Sequence, residues 1–522
     1  MTEQATTQKS LSKNTIWYLL YNVLNIIFPL LTSIYVARVL LPDTIGQVYD
    51  AQNIASYFSV LAFLGIPTYG LREIAKTRGN KEERNRLFTE LYIINLISTI
   101  IFSIAYVSVV FIVPEFRNNL ALYLVAGIII VINAFNINWL YEGLEEFKFE
   151  SIRNLICKAL SFVILVLFVK NDSNSLIFAS ILAIATGLNY LVNMLVHGKH
   201  AKFTFKNLNL KRHMKPILFL VAVNLAIEIY TLVDTTMIAR ICGEVNKDQV
   251  AFYVNGNKIF KVFLQVVNTF TIVVVPRLTE YFQDKKQIDF NNLLSKTLRV
   301  LIMIAIPLVV GIFFLGDLVI QILYSSDKSS YETSGTVLKI LSLSLIFSPI
   351  GYLLGSRVCL IAGKEKKMLL SVAIGAVLNF GLNFLLINLF QYNNSIVEFL
   401  NSHFTRESHV GFGEFGAAIA SVISEIVVMI VYIVQGKKYF KLNGLFDDVL
   451  KPILATNIML CFLTVLNLIN FNFTNIVLAN QIIELVTKFI VGLLTYFISL
   501  FALQQKDVVC ALNKLKIRSH SN

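Results

Sequence analysis

Fourteen apolar stretches of membrane-spanning length, joined by loops that alternate between basic and nearly charge-free, set what this chain can fold into. A helix crossing the hydrocarbon core needs about 20 mostly apolar residues. Only helices or closed barrels satisfy backbone hydrogen bonds there. The stretches run over 15–40, 46–68, 88–113, 120–140, 152–169, 176–197, 216–241, 250–275, 297–316, 336–361, 369–390, 413–435, 450–470 and 481–503. With 56% hydrophobic residues and a mean hydropathy of +0.69, the chain reads as an all-α polytopic membrane protein rather than a soluble enzyme.

An even number of spans puts both termini on one side. Most of the 45 Lys and Arg fall in loops on that side, in the tails, or in the adjoining ends of spans. On the other side the loops carry only Arg117, Lys170, Lys247, Lys328 and Arg406. The positive-inside rule therefore predicts cytoplasmic termini and a multi-pass protein of the cell membrane. Residues 1–14 are polar and show no cleavable signal, so the first span is expected to serve as the signal.

Composition removes several functions. The net charge of +13 does not point to nucleic acid, because the basic residues sit in short loops beside spans, where they orient the chain and meet anionic lipid. Cys157, Cys242, Cys359, Cys461 and Cys510 form no C-x-x-C pair, so no disulfide or metal framework is expected. There is no phosphate-binding G-x-x-x-x-G-K-S/T loop, no H-E-x-x-H and no D-x-D. His197 and His200 read as solvated or headgroup-facing. The longest outer loop, 391–412, holds His403, Arg406 and His409, which is little room for a catalytic site. No cofactor, no metal and no enzymatic activity are expected.

Polarity inside the membrane is what remains informative, since ionisable groups there are costly and usually face a cavity or a partner. The seventh span carries Asn224, Glu228, Thr231 and Thr235 at steps of 4, 3 and 4, one helix face, with Asp234 at its edge and Arg240 ending the helix. The eighth carries Lys258, Lys261, Gln265 and Asn268 at 3, 4 and 3. Two readings stand: acidic and basic residues clamp the helices together, or the stripes line a hydrated cavity whose lysines receive an anion. A polar face along whole helices favours the cavity. The first span adds Asn22, Asn25 and Thr32, ending at Arg38. The second adds Asp50 and Asn53, and the fourth Asn133. Lys158 is read near the cytoplasmic end of the fifth span, snorkelling. Glu484 and Lys488, at i and i+4, read as a self-neutralising pair. Pro29 and Pro307 predict kinks.

A weak internal repeat aligns Tyr35-Val36-Ala37-Arg38 with Met237-Ile238-Ala239-Arg240. It continues through Val48-Tyr49 and Phe252-Tyr253, and a proline followed by Arg and Glu (Pro67, Pro276) ends both hairpins. Both copies start in the same direction, which implies two halves related by an axis along the membrane normal. The expected organisation is an N-terminal six-helix lobe over 1–198, a basic cytoplasmic linker over 199–215 and a second six-helix lobe over 216–440. Two additional helices and a cytoplasmic tail occupy 441–522. The lobes flank a central cavity, with the extra helices at the periphery or an accessory groove.

Several segments resemble Wzx-type polysaccharide flippases: Asn14 to Arg38 with I-Y-V-A-R-V-L, the run I-G-Q-V-Y-D-A-Q-N-I, and most specifically N-W-L-Y-E-G-L-E-E-F-K-F-E-S-I-R-N (Asn138 to Asn154). Y-T-L-V-D-T-T-M-I-A-R in the seventh span and V-V-P-R-L after the eighth also fit. The likeness covers about the first 300 residues and departs in the outer loop after the eleventh span. It implies the multidrug/oligosaccharidyl-lipid/polysaccharide exporter superfamily and transport of an undecaprenyl-pyrophosphate-linked oligosaccharide to the outer leaflet, for capsule-, exopolysaccharide- or O-antigen-type synthesis. Arg38, Arg240, Lys258 and Lys261 would then neutralise the pyrophosphate, and Asn, Thr and Tyr would meet the sugars. Glu228 or Asp234 would carry a coupling ion. The implied partners are that substrate, membrane lipids and the pathway's polymerase and glycosyltransferases, with no nucleic acid. The competitors are a flippase for teichoic acid or the peptidoglycan precursor, a cation-coupled drug exporter and, in a different class, a glycan polymerase. An acidic cavity would mark the drug exporter, and a large basic outer loop the polymerase.

Overall fold

Along Lys81–Ile112 the usual order of a globular protein is inverted. Ile97, Ile100, Ile101 and Ile104 form an outward face that is 50–63% exposed, while Asn95, Ser98 and Thr99 are buried. In water such a helix would lose the hydrophobic term. Surrounded by lipid it loses nothing and turns Asn95 Nδ2 and Ser98 Oγ to carbonyls of neighbouring segments, Asn133 and Leu61. The computed structural model describes residues 24–505 except 78, 244–246, 325–330, 393–394, 405–410, 441–448, 470, 472–473 and 475. Asn22, Lys328, Arg406, His409 and Cys510 lie outside the described residues.

The described residues are helical, with no strand among them. In order the helices are α1 Leu24–Ala37, α2 Pro42–Phe63, α3 Ile66–Lys76, α4 Lys81–Ile112, α5 Pro114–Asn118, α6 Leu120–Ile132, α7 Asn138–Gly143, α8 Phe147–Phe168, α9 Ser175–Val196 and α10 Lys211–Ile241. They continue as α11 Asp248–Gln283, α12 Gln287–Tyr324, α13 Glu332–Ser342, α14 Ser344–Gly351, a π-turn Tyr352–Arg357, α15 Val358–Ile361, α16 Glu365–Gln391, α17 Ser395–Asn401, α18 Gly413–Gly436, α19 Leu450–Leu466 and α20 Val477–Ala502. Among described residues, eleven helical segments are long and apolar enough to cross a membrane, or twelve if the pair bent by 44° at residue 343 is one span. Leu24–Ala37 and Leu450–Leu466 are shorter apolar helices. Each of the fourteen expected stretches overlaps one of these segments. The chain is a multi-pass membrane protein.

Packing divides the chain into residues 1–251 and 252–522, so the segment 199–215 and α10 fall in the first unit. The reason is local: α10 packs on α2 and α3. The linker itself is strapped down. Backbone amides of Lys202, Thr204 and Asn209 donate to Asn85 Oδ1, Thr89 Oγ1 and Glu90 Oε1 on α4, at 2.8, 2.9 and 2.6 Å.

In the first unit, a buried cluster of Ile66, Ile74, Phe88, Leu91, Trp139 and Tyr141 joins α3, α4 and α7. Glycine allows the close approach: a β-carbon at Gly70 would lie 2.7 Å from the Trp139 ring. Leu64 and Gly65, both at positive φ, break α2 from α3. Pro67 sits in the first turn of α3, where a missing N–H costs nothing. It therefore starts a helix rather than ending a hairpin. Pro276 lies inside α11, which continues to Gln283. The repeat's prolines thus mark no common boundary.

In the second unit, α16 packs on α18, and the π-turn brings Gly355 directly against the Tyr432 ring. The pair α19–α20 packs on α12 through Met459, Leu463 and Tyr496, with the Tyr496 hydroxyl donating to the Met303 carbonyl at 2.6 Å. Glu484 and Lys488 pair, as their spacing predicts.

Candidate functional site

The first unit carries four groups of polar side chains along its helices. At the Arg240 end of α10, Asp50 of α2 is wholly buried. Its carboxylate accepts two bonds from Arg240 Nη2, at 2.6 and 2.7 Å, one from the Tyr123 hydroxyl at 2.7 Å and one from Lys247 Nζ at 3.2 Å. Arg240 also pairs with Glu115 and lies 5.0 Å from the Phe116 ring centroid. Two cations and two carboxylates meet here, so the cluster closes on itself in charge. A β-carbon at Gly46 would run into the Lys247 carbonyl, so glycine is what lets α2 approach that turn.

One level inward, Asn53 Nδ2 donates to Thr235 Oγ1 at 2.8 Å, and the hydroxyls of Tyr57 and Thr236 lie 3.0 Å apart. Asn133 is buried, donates to Ser59 Oγ and accepts from Asn95 Nδ2 at 3.0 Å through its carbonyl. On the same helix as Thr235, Asp234 is buried, Asn224 and Glu228 are half-buried, and Thr231 is exposed with its hydroxyl bonded to the Ile227 carbonyl.

The α8 level corrects the reading of Lys158. Lys158 lies at the midpoint of α8, and its side chain does not snorkel. Its ammonium turns inward and donates to Asn25 Oδ1 at 2.5 Å. Asn25 Oδ1 also accepts from Asn154 Nδ2 at 3.0 Å; Asn189 Nδ2 donates to Asn154 Oδ1 at 2.9 Å; and Arg153 Nε donates to Asn189 Oδ1 at 2.8 Å.

At the His213 end, Glu90 is buried and receives Arg212 Nη2 at 2.5 Å, Arg86 Nε at 3.2 Å, the Asn209 amide at 2.6 Å and His213 Nε2 at 2.7 Å. The Tyr69 hydroxyl is 2.8 Å from His213 Nδ1.

In the second unit, on α11, Lys258 and Gln265 are half-buried and Lys261 is exposed. Arg38, in the first unit, is exposed just past the end of α1. Of the candidate residues, then, the structure joins Asp50 to Arg240 directly and gives Asn25, Asn53 and Asn133 partners of their own. Sequence reasoning missed Tyr123, Glu115, Lys247, Arg153, Asn154, Asn189 and the Glu90 cluster. The α8 stripe had a signal: Glu150, Arg153, Asn154, Cys157, Lys158 and Ser161 recur at helical spacing on one face.

The second unit also contains an apolar groove of about 500 Å³ between α12, α19 and α20, lined by Pro307, Gly311, Met459, Leu463, Gly492 and Tyr496 among others, with Lys488 beside them. The lysine is held by Glu484 and lies 5.8 Å from the Phe471 ring centroid.

A family model described as "Polysaccharide biosynthesis protein" matches residues 11–282, and one described as MatE matches residues 220–385. The "Putative O-antigen transporter" of Escherichia coli is 22% identical over 277 residues. That match covers 52% of this chain and 66% of the relative, just under two thirds of its length. A solved structure described as "Lipid II flippase MurJ, inward closed conformation" covers 95% of this chain and 100% of its own, with a TM-score of 0.67 at 17% identity. An inward-facing multidrug resistance MATE family transporter of the MOP superfamily covers 80% of this chain and 95% of its own, with a TM-score of 0.61 at 15% identity. At these identities the structural likenesses are of fold.

Proposed function

The chain belongs to the polysaccharide biosynthesis protein family, and from that premise we propose that it is a flippase moving an undecaprenyl-pyrophosphate-linked oligosaccharide across the cytoplasmic membrane. The proposed setting is synthesis of a capsular, exopolysaccharide or O-antigen-type polymer, with both termini in the cytoplasm. The observation that carries the reading is the apolar groove against α19 and α20. A prenyl chain fits its walls, whereas sugar hydroxyls there would go unpaired at a cost of kilocalories each. The sugar and pyrophosphate need a different path, and the polar stripe of Lys258, Lys261, Gln265 and Asn268 is the segment we assign to it. Lysine supplies a mobile point charge for a phosphate. Glu228 and Asp234 remain the candidates for a coupling ion. Arg240 fits the anion role less well than its sequence position suggests, because its guanidinium is already held by Asp50 and Glu115.

Two six-helix lobes rocking about a central cavity complete the proposed mechanism. A fold shared with a lipid II flippase supports the related reading, another prenyl-linked glycan, and the same experiment separates the two. In a clean deletion of the gene, the lipid-linked repeat unit should accumulate facing the cytoplasm while its synthesis continues. The wild-type chain should restore outward movement, and a Lys258→Ala/Lys261→Ala variant that still inserts should not. Accumulation of the peptidoglycan precursor instead would transfer the substrate to the sister class. Normal outward movement with polymerisation lost would overturn the flippase reading.

A further inference from the structure

Lys158 is a mid-membrane ammonium without a carboxylate. It stands halfway along α8, whose 22 residues rise about 33 Å, so neither end of the helix brings it to a headgroup. A charge at that depth is costly and normally pairs with an opposite charge. Here the bonded partner is a neutral amide oxygen, Asn25 Oδ1, at 2.5 Å, and no carboxylate pairs with the ammonium among the described residues. An ammonium has three donors, and among the described residues this one's bonded partner is Asn25.

The surroundings hold that geometry in place. Asn25 Oδ1 is shared with Asn154, Asn154 is held by Asn189, and Asn189 is held by Arg153 Nε. Each amide in this chain donates toward Asn25, so the dipoles run in one direction and end at the oxygen under the lysine. Arg153 is buried and faces Glu150, Nη2 to Oε1 3.8 Å, so the cation behind the amide chain has a counter-charge of its own. Lys158 as a residue is half-buried. A clamp between helices would use a carboxylate, which α1 does not provide; a receptor would leave the charge for an incoming anion.

We propose that Lys158, seated on Asn25 and backed by Asn154, Asn189 and Arg153, is an anion seat within the first unit that takes phosphoryl oxygens. They come either from the pyrophosphate of a prenyl-linked substrate, which rests on the flippase reading above, or from a membrane phospholipid. Phosphate suits the site because its tetrahedral oxygens can accept two donors from one ammonium and displace nothing that Asn25 needs.

The test uses purified full-length protein in nanodiscs of phosphatidylcholine, which carries no net charge. Binding is read as the saturable rise in melting temperature with inorganic pyrophosphate and with farnesyl pyrophosphate. Wild type should bind both. Two variants should lose at least tenfold in affinity while remaining folded. Lys158→Met removes the charge at equal length. Asn25→Asp places a carboxylate oxygen where the amide oxygen lies and fills the seat with an internal ion pair, so its ligand-free melting temperature should rise. Equal binding by wild type and either variant, or no binding by wild type, overturns the seat. Nanodiscs of phosphatidylglycerol identify the source. Weakened pyrophosphate binding in wild type but not in Lys158→Met assigns the seat to lipid phosphate, and unchanged binding assigns it to the prenyl pyrophosphate. The leaflet assay decides the flippase reading separately, since pyrophosphate can bind at Lys158 in a protein that moves no glycan, and glycan can move through one that binds none there.

Discussion

Asp50 and Arg240, 190 residues apart, meet through one guanidinium nitrogen that donates to both carboxylate oxygens at 2.6 and 2.7 Å. The contact ties the second apolar segment to the end of the seventh, and the Lys247 ammonium and Tyr123 hydroxyl complete it. A buried charge pair contributes little over an apolar packing of the same shape, but removing one member strands the other.

Asp50→Ala should therefore destabilise the protein by about 3–5 kcal/mol, because Arg240 and Lys247 are then left to share Glu115 alone. Arg240→Ala should cost less, since Lys247 still faces Asp50. The double variant should recover part of the loss. Melting in detergent measures the cycle. Additive losses would show that the two side chains do not act as a pair, and a loss of transport from Arg240→Ala at unchanged stability would return that arginine to the substrate path.

Gly70 faces the Trp139 ring at a distance that leaves no room for a β-carbon. Gly70→Ala should destabilise by about 1–3 kcal/mol through overpacking. A second change, Trp139→Leu, should relieve part of that strain even though Trp139→Leu alone opens a cavity. Worse stability in the double variant than in either single one would show that the two positions are not in contact.

The strap over residues 199–209 rests on α4 through Asn85, Thr89 and Glu90, and Glu90 also gathers Arg212 and His213. Glu90→Ala should release the strap, and trypsin should then cleave at Lys202 or Lys206, both exposed, at least several-fold faster than in the wild type. Unchanged cleavage rates would mean that the strap is held without Glu90.

The helices were readable because lipid demands long apolar runs, and the polar residues within them stood out for the same reason. Pairing was not readable. Asp50 and Arg240 each carried a signal, but nothing in a single sequence links positions so far apart, and Lys247 read as a loop charge although its side chain is buried. Lys158 shows the same limit: it lies within a few residues of the middle whether the span is bounded as 152–169 or as α8, and what overturns the snorkelling reading is its partner, Asn25, which no single sequence reveals. The motif Asn138 to Asn154 was legible as a family mark, yet part of its use is packing. Trp139 and Tyr141 are buried in the α3–α4–α7 core, and the Asn138 side chain accepts from Asn193 Nδ2 at 2.5 Å.

The groove against α19 and α20 makes a graded prediction at Gly492. A β-carbon there would lie 3.5 Å from Leu463, an ordinary contact. Gly492→Ala should leave both stability and glycan export within about twofold of wild type, since a contact at van der Waals distance forces no shift. Gly492→Phe projects a ring into the space that a prenyl chain would occupy. It should lower export at least tenfold with the protein inserted at normal level, and it should leave pyrophosphate binding at Lys158 unchanged, because that site lies in the other unit. Full export from Gly492→Phe would remove the groove from the path of the lipid and leave α19 and α20 with a structural role alone.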